Sequence, residues 1–180
     1  MSDALQALYE GDIERANRLL PPDERLTVFE AAAFGREARL VALLFETPDL
    51  ATAMSDDGFT ALHLAVFAGQ EAAARTLIGH GADVNACATA AFARVRPLGT
   101  AAFVGSLDLT QLLLDAGADV DGRSPDGHTA LHTAAQNGDV QLVRELFSRG
   151  AAPTARSSSG ERPIDLATDP AVQRLLTRRG

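Results

Sequence analysis

Apolar and polar positions fall in a repeating block pattern along the chain. The run Thr60-Ala61-Leu62-His63-Leu64-Ala65-Val66-Phe67-Ala68 follows the polar turn Asp56-Asp57-Gly58-Phe59 and ends at Gly69. The run Thr129–Asn137, between Asp126-Gly127-His128 and Gly138, says nearly the same thing 69 residues later. Gly35, Gly69, Gly105 and Gly138 close four such runs at spacings of 34, 36 and 33. Eight and nine residues after each comes an apolar pair: Leu43-Leu44, Leu77-Ile78, Leu113-Leu114 and Leu146-Phe147. A second glycine follows three of the closing glycines at twelve residues: Gly81, Gly117 and Gly150. The pattern predicts a unit of helix, tight turn, helix, glycine stop and extended connector. The apolar pair forms the seam of the second helix, and the second glycine takes the left-handed position after its end. A self-similar period of this length reads as a repeat array.

The units carry recurrent end motifs. Gly81-Ala82-Asp83-Val84-Asn85 and Gly117-Ala118-Asp119-Val120-Asp121 end two of them. Thr60-Ala61-Leu62-His63 and Thr129-Ala130-Leu131-His132 start two, with alanine where proline is more usual. These motifs resemble the ankyrin repeat, in register and over nearly the whole chain. The resemblance implies an all-α repeat fold: an ankyrin-repeat solenoid of stacked helix-turn-helix units, with β-hairpin or loop fingers and a concave binding face. Threonine suits the helix cap, and the next position accepts proline, as Pro97 and Pro163 illustrate. The histidine resembles the family's structural histidine, which bonds between neighbouring repeats. Such units are stable only when stacked.

The expected organisation is one domain, 1–180: an N-terminal cap at 1–25, repeats at 26–54, 55–87, 88–123 and 124–156, and a C-terminal cap at 157–180. In the N-terminal cap, helix Asp3–Glu10 meets Gly11, and Leu19-Leu20 fall at the seam offset. Only 24 residues separate Gly11 from Gly35, so the finger expected there is missing. The third repeat starts at Arg96-Pro97-Leu98-Gly99, without threonine or histidine, and its finger is long and apolar, Ala90-Ala91-Phe92-Ala93-Arg94-Val95. Ser157-Ser158-Ser159-Gly160 reads as a finger tip.

Charge narrows the partners. The net charge is −8 over 180 residues, which argues against nucleic acid, where a basic stripe supplies affinity. Residues 1–58 hold 12 acids and 5 arginines, whereas residues 156–180 hold 3 acids and 5 arginines. All 16 basic residues are arginine; with the abundant alanine this suggests a high-GC genome, and the resemblance to small stand-alone ankyrin chains implies a bacterial source. The start of the chain lacks the basic and apolar regions of a signal peptide, and no apolar run reaches the length of a membrane span. Cys87 is the only cysteine, which fits a cytoplasmic setting.

Chemistry is sparse. His63 and His132 stand at the structural position, and the spacing of His128 and His132 straddles a helix start, so they do not share one helical face for zinc. Cys87 has no neighbour that would lower its pKa. Gly79-His80-Gly81-Ala82 ends a helix and does not open one around phosphate. No catalytic, cofactor or metal site is expected, and the chain is read as a non-enzyme.

In the resembling family, partners dock on fingers and first helices. By register the groove positions are Phe34, Phe67, Phe103 with Val104, and Gln136 with Asn137. Phe59 and Phe92 add rings, His128 a polar end, and Asp56 and Asp57 an acidic rim. The expected occupant is a protein segment, apolar at its centre and basic toward Asp56, held by a monomer without cofactor, nucleic acid or membrane. The alternatives are an immunity or inhibitor protein masking a basic toxin or enzyme, a small-ligand receptor or enzyme with finger 86–95 as a lid, and a self-associating chain.

Overall fold

Among the described residues twelve short α-helices come in consecutive pairs, the first five divided by the left-handed Gly11, Gly35, Gly69, Gly105 and Gly138 and the last by Ala167 in extended conformation. The computed structural model describes residues 2–91 and 93–177. The helices are α1 (Asp3–Tyr9), α2 (Ile13–Leu19), α3 (Val28–Ala33), α4 (Glu37–Glu46), α5 (Ala61–Phe67), α6 (Glu71–Gly79), α7 (Pro97–Val104), α8 (Leu107–Asp115), α9 (Ala130–Asn137), α10 (Val140–Ser148), α11 (Pro163–Leu166) and α12 (Pro170–Thr177). Two compact units result. One comprises 1–83 with 88–93, the other 84–87 with 94–180.

Local chemistry sets the helix starts. Thr27 and Glu30 form a reciprocal capping box at α3. Ser106 caps α8, and the Asp139 carboxylate takes the Gln141 and Leu142 amides of α10 at 3.0 Å. Pro97 and Pro163 stand at first helical positions, where no amide hydrogen is needed. In the first unit α3 packs beside α5, and in the second α7 beside α9 and α9 beside α11. Each unit therefore has its own layer of first helices, backed by second helices.

The core is a leucine seam. Leu44, Leu77, Leu113 and Leu146, one from each expected apolar pair, are fully buried. Three of them stand eight residues after the closing glycine, but Leu44 stands nine after it. In α4 the seam runs through Leu40 and Leu44, because Arg39 occupies the earlier seam position and turns its Nε to the Leu26 carbonyl at 3.3 Å. The Leu19-Leu20 pair departs further: Leu19 is exposed and Leu20 half-buried, and Ala16 is the buried residue of α2.

The fingers are hydrogen-bonded turns rather than β-hairpins. Among the described residues the backbone shows one isolated bridge, Met54 to Thr60. The turns at Ser55, Ser124 and Ser157 are alike: each serine amide bonds the carbonyl four residues on, and each glycine amide returns to the serine carbonyl. The tip of one turn carries the next segment. The Thr89 amide donates to the Gly58 carbonyl, and the Ser158 amide to the Asp126 carbonyl, both at 2.8 Å. Gly58 and Gly127 have positive φ, and a Cβ on either would meet the adjoining backbone at 2.5 and 2.8 Å. Only glycine permits this approach.

His132 ties these levels together. Its Nδ1 lies 3.2 Å from the Thr129 amide nitrogen and 2.9 Å from the Thr129 hydroxyl, while Nε2 lies 3.1 Å from the Glu161 carbonyl. A backbone amide can only donate and a carbonyl can only accept, so the ring is neutral with its proton on Nε2. Burial holds its pKa below the usual 6.5. As pH falls through 6.5 the unfolded chain takes up this proton first. The stabilisation is therefore complete above 6.5 and is lost progressively below it. We expect His132→Ala to cost about 2 kcal/mol, since it strands the buried Thr129 amide, while the Glu161 carbonyl keeps its bond from the Ser157 amide. Urea unfolding on either side of pH 6.5 should show a shallower pH dependence for the variant than for the wild type. An equal slope would remove His132 as its source.

Candidate functional site

The groove positions divide by unit. In the first, they are already in contact with the chain itself. Tyr9, at the end of α1, sets its ring 5.8 Å from Phe59 and 5.7 Å from Phe67, the latter edge-on. Its hydroxyl donates to the Asp57 carboxylate at 2.9 Å. Asp57 also accepts from the Ser55 hydroxyl at 2.5 Å, so this carboxylate holds a turn and an aromatic cluster. Phe59 is buried between Tyr9 and the His63 ring. Phe34 and Phe67 are half-buried and Asp56 is exposed.

The second unit keeps its ring open. Phe103, at the end of α7 and in the same register as Phe67, is 65% exposed, with Val104 beside it. The Asn137 side-chain amide, at the end of α9, donates to the Ala102 and Phe103 carbonyls at 3.1 and 3.2 Å. The bond to Phe103 caps a carbonyl that the end of α7 leaves open, the bond to Ala102 joins that of the Gly105 amide, and together they fix the backbone that carries Phe103. Gln136 is exposed next to Asn137. His128 is half-buried, its Nδ1 3.0 Å from Asp126 and its ring edge-on to His132 at 5.2 Å. The structure thus brings Phe103, Val104, Gln136 and Asn137 to adjoining helix ends. Phe92 lies outside the described residues.

The finger 86–95 starts from a bonded base. Asn85 accepts the Asp119 amide at 2.8 Å and donates to the Gly117 carbonyl at 3.2 Å, while Arg96 bonds the Asn85 and Arg123 carbonyls. Ala88 and Ala90 are buried and Thr89 is tied to Gly58, so this stretch is packed. The described residues hold no cluster of three metal-ligating side chains.

Comparison with known proteins agrees with this geometry. The family model described as ankyrin repeats (3 copies) matches residues 2–87 and 97–179. The chain belongs to the ankyrin-repeat family. The all-helical pairs and turn fingers described above are that fold. Similar proteins include the tyrosine-protein kinase Shark of Drosophila melanogaster, 37% identical over 65% of this chain and 12% of the kinase. The B-cell lymphoma 3 protein homolog of Mus musculus is 35% identical over 67% of this chain and 26% of its own length. Ankyrin repeat and SOCS box protein 11 of Danio rerio is 35% identical over 66% and 39%. The chain spans a minor part of these relatives. Ankyrin repeats are a non-catalytic interaction fold, and among the described residues no helix is long and apolar enough to cross a membrane.

Tyr9 escaped the sequence reading. Its signal was indirect: a finger is missing between Gly11 and Gly35, and a side chain from the cap covers the aromatic face there. Tyr9 is the only tyrosine and the chain has no tryptophan, so its absorbance is a clean probe. Burial, reinforced by the Asp57 charge, pushes its pKa well above the usual 10.0. We expect no tyrosinate signal through the ordinary range while the protein stays folded. Asp57→Asn should bring ionisation to lower pH in a spectrophotometric titration, and an unchanged curve would mean that Asp57 does not act on the phenol. Tyr9→Phe should cost about 1 kcal/mol, the value of one hydrogen bond.

Proposed function

We propose that this protein is a non-catalytic binding module that holds a segment of another protein at the ends of its first helices and at its turn fingers. The observation that carries the reading is Phe103, a large ring kept in water by a backbone that Asn137 holds in place. Aromatic side chains on an ordered support, flanked by amides, are the usual anchors of protein interfaces. Val104 widens the apolar centre, and Gln136 with His128 orients the partner by hydrogen bonds. In the first unit Phe34 and Phe67 offer half-exposed ring edges beside the acidic turn at Asp56, while Phe59 and Asp57 support that surface from beneath. The partner is apolar where it meets a ring, and basic where it meets the first unit near Asp56. We place the protein in the cytoplasm of a bacterium, as a monomer. A second reading, an inhibitor that masks a basic toxin or enzyme, is supported by the acidic excess of residues 1–58.

Affinity capture from the source cell tests the reading. Wild type should retain a protein that Phe103→Glu loses by about tenfold or more in a follow-up titration. Phe103 is exposed, so urea unfolding should show the variant as stable as wild type. Retention of the same protein by both baits would move the site away from Phe103.

A further inference from the structure

A second aromatic stands in water on the other side of its repeat. Phe45, near the end of α4, is 85% exposed, and Val41 one turn earlier is 42% exposed. With exposed Ala38 they occupy positions 38, 41 and 45, which is one stripe of a helix. The repeats supply an internal control. Six residues after the closing glycine the other second helices carry Arg75, Gln111 and Arg144, where α4 carries Val41. Ten residues after it they carry Gly79, Asp115 and Ser148, where α4 carries Phe45. The register alone therefore demands no apolar residue at either position, and solvent exposure favours the polar residues or glycine found there in the other three helices. Within its own unit this face lies on a second helix, whereas Phe34 and Phe67 stand at the ends of first helices.

Charge identifies the occupant. The first compact unit holds 14 acids against 6 arginines, a net −8, and the second holds 10 of each, a net zero. The whole charge of the chain thus belongs to the unit that carries Phe45. Among the described residues the ion pairs of that unit fall on Glu10, Glu14, Asp23 and Glu71, while Glu46 and Asp49, next along the chain from Phe45, are exposed. A second copy of this chain would bring the same negative field against itself. We infer that the α4 face is a separate docking surface for a cationic amphipathic segment of another protein, one that sets an apolar side chain on Phe45 and Val41 and lysine or arginine toward Glu46 and Asp49. Apolar contact supplies the affinity and the unit's charge the approach.

The test uses the full chain and a synthetic helical peptide of about 20 residues, leucine on one face and lysine on the other, with a glutamate counterpart as control. NMR shift perturbation should map the lysine peptide to residues 38–49, and fluorescence anisotropy should show binding that weakens with salt. The double variant Val41→Gln/Phe45→Gln should bind at least about tenfold more weakly, with its urea midpoint unchanged. Phe103→Glu should bind the peptide as wild type does, which separates this surface from the proposed partner site. Equal binding by the double variant would reduce the face to a diffuse acidic surface and overturn the proposal, as would equal binding of the glutamate peptide or shifts confined to α7 and α9. Sedimentation showing a dimer that the double variant abolishes would make a second copy the occupant, against the proposal.

Discussion

The structure depends on polar groups at the buried starts of α5 and α9 being satisfied without water. A helix pair of this length cannot bury its apolar stripe alone, so the starts of these helices are enclosed by the next turn along the chain. In the second unit the His132 imidazole solves this by accepting at one nitrogen from Thr129 and donating at the other to the Glu161 carbonyl. A charged ring would turn its accepting nitrogen into a donor facing a donor. The neutral state is thus a condition of the packing, and it belongs to the same design as Gly127, whose missing Cβ lets the Ser158 amide reach the Asp126 carbonyl. The motif repeats along the sequence because this enclosure problem recurs.

One register position can still carry different chemistry. Phe67 and Phe103 both stand two residues before a closing glycine, yet one is half-buried and the other open. Tyr9 makes the difference. It reaches Phe67 and Phe59 from the end of α1 and anchors its hydroxyl on Asp57. Asp57 then serves stability first, and the ring left open at this register is Phe103. Binding capacity follows from what the neighbouring element leaves uncovered.

This explains what was legible in the sequence. The helix starts could be read because threonine, proline and aspartate act within a turn of the residues they cap. The seam could be read because it is periodic, although Arg39 moves it by one position in α4 and exposure of Leu19 breaks it in α2. The Tyr9–Asp57 bond could not, because it joins residues 48 apart and no linear period connects a cap to a finger two repeats away. The turn serines were visible only as polar punctuation. Their shared bonding to the carbonyl four residues on appears once the backbone is drawn. Exposure of Phe45 was hidden for the opposite reason: a phenylalanine next to the leucine pair looks like more seam.

The two exposed rings lie in different electrostatic settings, and that difference bears on how each would select a partner. Around Phe103 the unit is electrically balanced, so discrimination there must come from shape and from the directed bonds of amides and carbonyls. Such contacts act at short range and mainly govern how long a partner stays. Around Phe45 the unit carries the full charge of the chain, which acts over about 8 Å at physiological salt and governs which segments arrive. Wherever both rings bind protein segments, the residence time would be set mainly in one unit and the approach mainly in the other. An aromatic in water gains its selectivity from the groups around it, which differ here although the repeat is the same.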